Sequence, residues 1–398
     1  MDVDALKQAV CDRVDALAPA LVEASRAIHA RPELNYEEHF AHQLLTDLLE
    51  QHGVTPVRGA YGIDTAFDSS VGTEGATIAV LCEYDALPGV GHACGHNVIA
   101  TAGLGAGLAA ASVAELAGGR LRIMGTPAEE GGGGKVLMAR AGAFDGVDAA
   151  MMVHPADADL IRMDCIAIQA LEVEYHGKAA HAAAAPWEGR NALDAAVLGY
   201  MNVATMRQHI RPDERIHGIF TKAGDKPNIV PSEAAMDWYI RSGTIASLQP
   251  LKERVFTGLQ AAATACGCTM DHSWVGETYA EMLDNQAMVR SYVANAAKLG
   301  RTVMDPAAIN RRVVGSTDMG NVSYLVPSIH PMIKVAPDGV PIHSVDFAAY
   351  AGSEEGDRAV IDGAKAMAMT VVDLWTDASL RAEMQAQFAQ RPTGVVVY

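Results

Sequence analysis

The chain has 398 residues, half of them hydrophobic and few aromatic, with a formal net charge of −18. That length exceeds one ordinary core and calls for two domains, or a large one carrying an insertion. The acidic balance argues against nucleic-acid and anionic-membrane partners, which need basic patches.

Helical periodicity predicts a first helix over residues 5–29 and a second over 36–51, the latter with an acidic first turn at Glu37-Glu38. A short apolar run at 76–81 reads as a buried strand. A small-residue helix follows at 98–114, closely packed on its neighbour. Residues 121–125 and 149–153 read as two more buried strands. Each strand runs directly into a loop rich in candidate ligands, the placement expected of active sites at the carboxyl ends of strands in open α/β sheets. Strands alternating with helices give an α/β layer architecture.

Near Ile166 the pattern changes. Strand, helix, strand, strand, helix and strand follow at 168–175, 192–208, 218–221, 234–241, 246–265 and 269–275, the split order of a ferredoxin-like α+β unit. In its first strand Ile168, Ala170, Leu171, Val173 and Tyr175 alternate loosely with Gln169, Glu172 and Glu174. From about Glu277 the α/β pattern resumes. It comprises a helix at 285–299, a loop-rich stretch at 305–320, a strand at 332–335, a loop around His343, and a long helix at 353–376. The simplest organisation is one catalytic domain, 1–167 and 278–398, interrupted by an inserted lid at 168–277.

Six cysteines without disulfide-framework spacing read as free thiols suited to a reducing cytoplasm. Residues 1–20 carry Asp2, Asp4, Lys7, Asp12, Arg13 and Asp15, so no signal-peptide core is expected there. No stretch reads as a membrane span; the uncharged run at 98–114 falls short of spanning length.

The most informative run is Gly91-His92-Ala93-Cys94-Gly95-His96-Asn97. Thr126-Pro127-Ala128-Glu129-Glu130 and four glycines come later, then His154 before Pro155, and His343 after Ile342. Thiolate, imidazole and carboxylate together suit Zn²⁺ or a neighbouring first-row ion. In extended backbone Cys94 and His96 point to the same side; His92 either ligates, orients a ligand or caps a turn. Adjacent glutamates usually mark a solvated edge. Here they follow a buried strand and a Pro, and precede glycines that permit a sharp bend. One carboxylate can then ligate metal while the other takes a proton from metal-bound water. Asp85, ending another strand, fits a carboxylate that holds a histidine ligand in one tautomer, or a turn-forming Asp near Pro88.

These motifs occur in order with Ile28-His29-Ala30-Arg31-Pro32-Glu33-Leu34, Asp85-Ala86-Leu87-Pro88, Gly177-Lys178-Ala179-Ala180-His181, Lys226-Pro227-Asn228 and Ser316-Thr317-Asp318-Met319-Gly320-Asn321. Over nearly the whole chain they resemble the aminoacylase/carboxypeptidase-G family of di-metal amidohydrolases and exopeptidases, in its Cys-Gly-His branch. Trp187-Glu188-Gly189 and the last two motifs are similar to the sub-branch containing p-aminobenzoyl-glutamate hydrolase and a β-alanyl-lysine type dipeptidase. The resemblance implies a zinc-exopeptidase-like catalytic domain, its mixed sheet flanked by helices, with the ferredoxin-like lid pairing two copies into a homodimer. It implies Cys94, His96, Glu130, His154 and His343 as metal ligands. One of them, taken as Cys94, would bridge two divalent ions, zinc first and manganese or cobalt as alternatives. Glu129 becomes the general base and acid. His181 becomes an oxyanion donor reaching a neighbouring subunit's site, and Asn228 a second substrate contact. Asn97 stands where many relatives carry an acidic residue, and Glu83 where other branches have a histidine ligand that His96 replaces.

The expected reaction is metal-dependent hydrolysis of an amide bond in a dipeptide or N-acyl amino acid, with a bridging hydroxide as nucleophile. The acidic balance favours a cationic substrate, and Met319, Tyr324 and His217 are candidate pocket residues. Two alternatives stand beside it. One is a catalytically inactive binding or regulatory subunit on the same fold. The other is a structural zinc protein, which fits poorly because such sites are typically Cys-rich and closed.

Overall fold

Asp2 opens the first helix, Val3–Ala30, by accepting the Ala5 amide, and Leu6, Val10, Val14, Leu17, Leu21 and Ile28 form its buried stripe. The computed structural model describes residues 2–309 and 314–397. These divide into two units, one running to Asp164 and resuming at Met282, the other comprising Cys165–Glu281.

The first unit is built around a buried small-residue helix, His96–Ala111, followed by a separate turn of helix at Ala114–Ala117. Val3–Ala30 and the long helix Glu354–Thr376 pack against it. Its glycines set how closely it seats. A Cβ at Gly103 would stand 2.5 Å from the Leu81 carbonyl oxygen, and one at Gly105 2.6 Å from Leu21 Cδ1. Beneath it lies a six-stranded sheet, ordered Val57–Arg58, Phe67–Val71, Arg120–Gly125, Thr77–Cys82, Ala149–Met151, Ser328–Ile329. Thr77–Cys82 runs parallel to both its neighbours and is buried throughout, as a strand covered on both faces must be. Phe67–Val71 joins antiparallel, so the sheet is mixed.

The second helix starts at His39, three residues later than its pattern suggests. Glu33 accepts the Phe40 and Ala41 amides, at 2.9 and 3.0 Å from Oε2, and so fixes the start of the helix. The loop-rich expectation for 305–320 lies partly outside the described residues, at 310–313. Beyond it, Met319–Leu325 is helical.

The second unit holds strands Ala167–His176, Arg215–Ala223, Glu233–Ser242 and Thr269–Tyr279, with helices Ala192–Met206 and Ile245–Ala265. Its sheet is antiparallel throughout, in the order fourth, first, third, second. The alternation in its first strand differs from expectation. Ala167, Gln169, Leu171, Val173 and Tyr175 are the buried set, leaving Ile168 and Ala170 on the other face. Gln169 tolerates burial because its amide donates to the Val275 carbonyl at 3.0 Å and its oxygen receives the Thr278 hydroxyl. All six cysteines are free. Among the described residues no helix is long and apolar enough to cross a membrane.

Candidate metal centre

The strand Thr77–Cys82 continues into Glu83, Tyr84 and Asp85, all buried. His96 is the first residue of its helix, and its Nδ1 lies 2.9 Å from Asp85 Oδ1, which leaves Nε2 as the free face of the ring. The other Asp85 oxygen accepts the Glu130 amide at 2.9 Å. One carboxylate thus orients both a histidine and the glutamate loop. Burial pushes the Asp85 carboxyl up, but His96 and that amide outweigh it and hold the group below its usual range. The strand Arg120–Gly125 leads to Ala128, Glu129 and Glu130, and Ala149–Met151 leads to His154. His343 arrives on a loop with φ 70, tied by its amide to the Ala93 carbonyl at 2.8 Å.

These loops bring the expected ligands together. Cys94 Sγ lies 3.3 Å from His154 Nε2. His96 Nε2 is buried without a hydrogen-bond partner, 3.7 Å from Glu83, 3.9 Å from Glu129 and 3.9 Å from Glu130. His343 Nε2 lies 3.5 Å from Glu130 Oε1. Single donor atoms of Cys94, His96 and His154 fall within 4.8 Å of one another, as do those of Cys94, Glu130 and His343, and of His96, Glu129 and Glu130. Separations near 3.5–3.9 Å are long for hydrogen bonds. They suit donors that share an ion at about 2.0–2.3 Å each, so the residues fit a metal. The electrostatics agree. Burial and His96 press His154 down to about 3, keeping the imidazole neutral, the form that ligates. Burial, then the Glu83 and Glu130 carboxylates, push the Glu129 carboxyl well above its usual range.

His92 belongs to none of these donor groups; it is buried, with its ring stacked 6.2 Å from that of His29. His181 and Asn228 are neighbours in the second unit, where the Ala182 amide donates to the Asn228 carbonyl at 3.0 Å. Both are exposed, and His181 Nδ1 accepts the Ala183 and Ala184 amides at 3.3 Å. A cavity of about 430 Å³ opens over Cys94, Glu129, Glu130 and His154, walled also by Met163 and Ile342. Met319 and Tyr324 are buried, Met319 within the hydrophobic core. His217 lines a cleft of the second unit with Tyr239 and Val275.

The sequence alone gave no role to Lys135. It is wholly buried on the helix Gly134–Arg140, pairs with Asp318 at 2.7 Å, and also pairs with Glu83. Glu83, Glu129 and Asp318 each place an oxygen within 4.8 Å of the others, so this ion cluster adjoins Glu129. Nothing local marks Lys135, since its partner Asp318 is 183 residues away. The Ser316–Asn321 motif was the one available signal.

A thiol, imidazoles and paired carboxylates gathered at the carboxyl ends of parallel strands are the make-up of a metallohydrolase site. Residues 79–368 match Peptidase family M20/M25/M40, and the chain belongs to that family. It is 40% identical over 401 residues to Xaa-Arg dipeptidase of Mus musculus, covering 97% of this chain and 93% of that protein. It is 29% identical over 451 residues to a component of the p-aminobenzoyl-glutamate hydrolase of Escherichia coli strain K12, covering 95% and 94%. Among solved structures, a dinuclear metal binding peptidase from the M20 family of Bacillus subtilis matches with a TM-score of 0.70 and 17% identity, over 91% of this chain and 99% of that one. The aminobenzoyl-glutamate utilization protein of Klebsiella pneumoniae matches with a TM-score of 0.67 and 20% identity, over 91% and 98%. The chain is a metal-dependent hydrolase of peptide or amide bonds.

Proposed function

We propose that the chain is a dinuclear metallodipeptidase, with its ions on Cys94, His96, Glu130, His154 and His343 and with Glu129 as proton carrier. The observation behind this reading is the pair of overlapping donor triads that share Cys94, next to a carboxylate that completes neither. The mixed donor set suits zinc, with manganese or cobalt as alternatives. When bound, such ions polarise the amide carbonyl and make water acidic enough to attack it at neutral pH. The chain supplies the rest. Glu129 takes the proton released by water and delivers it to the leaving nitrogen. Asp85 fixes the His96 tautomer and, through the Glu130 amide, the glutamate loop. In this reading His181 and Asn228 contact the substrate bound at a neighbouring subunit's site, His181 donating to the carbonyl oxygen as charge develops on it.

The substrate class follows from the relatives. A protein 40% identical at nearly full length is named Xaa-Arg dipeptidase, and the net charge of −18 favours a cationic substrate. Dipeptides ending in Arg or Lys are expected to be cleaved fastest in a panel that also holds N-acetyl amino acids and aminobenzoyl-glutamate. Exhaustive chelation should abolish the activity, and zinc or manganese should restore it. Full activity after chelation would sink the metal reading, and preference for acetylated amino acids would sink the substrate class. The six free thiols suit a reducing cytoplasm.

The second unit is also where a homodimer contact is proposed. Val197, Leu198 and Met201 are exposed on the helix Ala192–Met206, as are Ile219 and Phe220 on the edge strand Arg215–Ala223. Mixing His181→Ala with Glu129→Gln protein and reassembling the dimer should recover part of the activity that each variant lacks. A monomer that keeps full activity at high dilution would contradict it.

A further inference from the structure

Four described non-glycine residues adopt positive φ, and three lie at or beside the site: Tyr36 (φ 64), Ala128 (φ 59) and His343 (φ 70). This region is disfavoured for any residue with a Cβ and persists only where the surroundings impose it. Ala128 is the informative case, because it immediately precedes Glu129 and Glu130.

What imposes it is the segment between the first two helices. Glu38 is 0% exposed, and its Oε1 accepts the Ala128 amide at 2.9 Å. The Asn35 side chain donates to the Glu130 carbonyl at 2.6 Å, and the Tyr36 hydroxyl to the Gly132 carbonyl at 2.7 Å. The loop is therefore braced at alternate residues, 128, 130 and 132, from one side, while Asp85 holds the Glu130 amide. The bracing segment is itself fixed. The Glu33 carboxylate accepts the Phe40 and Ala41 amides, and its carbonyl accepts the Ala86 amide at 2.8 Å.

A buried carboxylate is costly unless its hydrogen bonds are made. The second oxygen of Glu38 is buried without a hydrogen-bond partner, and burial, with Asp85 nearby, pushes its carboxyl up to about 7. Its other oxygen is spent on the strained amide ahead of the catalytic pair.

We propose that Glu38 is a positioning residue for the hydrolysis, whose carboxyl oxygen locks the left-handed turn at Ala128 and so aims Glu129 at the reacting amide, with Asn35 and Tyr36 bracing the residues that follow. The inference rests on the assignment of Glu129 as proton carrier. Glu38 acts through backbone and not on substrate, so its loss affects kcat and leaves KM unchanged.

The test uses metal-loaded protein in five forms: Glu38→Gln, Glu38→Ala, Asn35→Ala, Glu38→Ala with Ala128→Gly, and Glu129→Gln as reference. Each is read by kcat, KM, metal content and deuterium exchange of the 128–132 amides. Glu38→Ala should lower kcat about tenfold, the scale of a lost buried hydrogen bond, and speed exchange at Ala128. Glu38→Gln keeps an acceptor oxygen and should retain most of kcat. Adding Ala128→Gly should recover several-fold of the loss, because glycine enters the left-handed region without a Cβ clash. Asn35→Ala, should Glu38→Ala fail to fold, is expected to lower kcat and speed exchange of the same loop. Unchanged kcat in Glu38→Ala or Asn35→Ala beside an inactive Glu129→Gln overturns the clamp and leaves the base standing. So does an equal loss in Glu38→Ala and Glu38→Gln, or no recovery from the glycine. An active Glu129→Gln overturns the underlying assignment instead.

Discussion

Glu129→Gln is expected to bind its full complement of metal and its substrate normally, yet turn over at least about a hundredfold more slowly. The change replaces one carboxylate oxygen by an NH2 group of nearly the same size at a position only 7% exposed, so packing around it is kept. What disappears is the ability to accept and return a proton. Glu130 makes the useful contrast. Its Oε1 faces both His96 and His343, at 3.9 and 3.5 Å, and replacing it removes a charged donor from the cluster. Glu130→Gln should therefore lose metal as well as activity. Metal analysis with steady-state kinetics on the two variants separates the roles, and near-normal turnover in Glu129→Gln would remove the base from the mechanism.

Lys135→Met should destabilise the protein by about 3–5 kcal/mol, the usual cost of stripping one partner from a buried ion pair. Methionine fills nearly the same volume, so the loss comes from charge and not from a cavity. Glu83 and Asp318, both 0% exposed, would be left facing each other without their ammonium partner. A second change, Asp318→Asn, should recover part of the stability by removing one of the stranded charges. Denaturant melts of the single and double variants provide the measurement. A shift below about 1 kcal/mol for Lys135→Met would mean that the two carboxylates are compensated elsewhere.

The parts of the candidate site readable from sequence were those encoded locally. Glu129, Glu130 and His154 stand within a few residues of the ends of buried strands, Cys94 and His96 at the end of the longer loop after Thr77–Cys82, and glycines beside Cys94 and Glu130 announce sharp turns. Features that depend on distant partners were not readable. The Lys135–Asp318 pair joins residues 183 positions apart, and nothing beside Lys135 marks it. Gln169 looks like a solvent-facing position until the Val275 carbonyl and the Thr278 hydroxyl are beside it. The strand Phe67–Val71 reads Phe-Asp-Ser-Ser-Val, too polar for a recognisable apolar pattern, and it joins the sheet with Asp68 paired to Arg122 on its neighbour. Helix starts shifted for the same kind of reason. The side chain that caps the second helix, Glu33, lies five residues before Glu38, the residue at its N-cap position.

With His96 as a ligand of the proposed centre, the glycine-seated helix His96–Ala111 would tie ion affinity to core packing. His96 is its leading residue, and about two turns along, Gly103 allows the backbone to come within van der Waals range of the Leu81 carbonyl. Any side chain larger than hydrogen at that point would lift the helix off the sheet and carry the imidazole away from Asp85 and from the donors around it. A lesion deep in the apolar interior, touching no ligand, would therefore show itself first as weakened metal retention. Conversely, whatever cation the donors hold adds its binding free energy to the seating of the helix, because only the folded state presents those donors together.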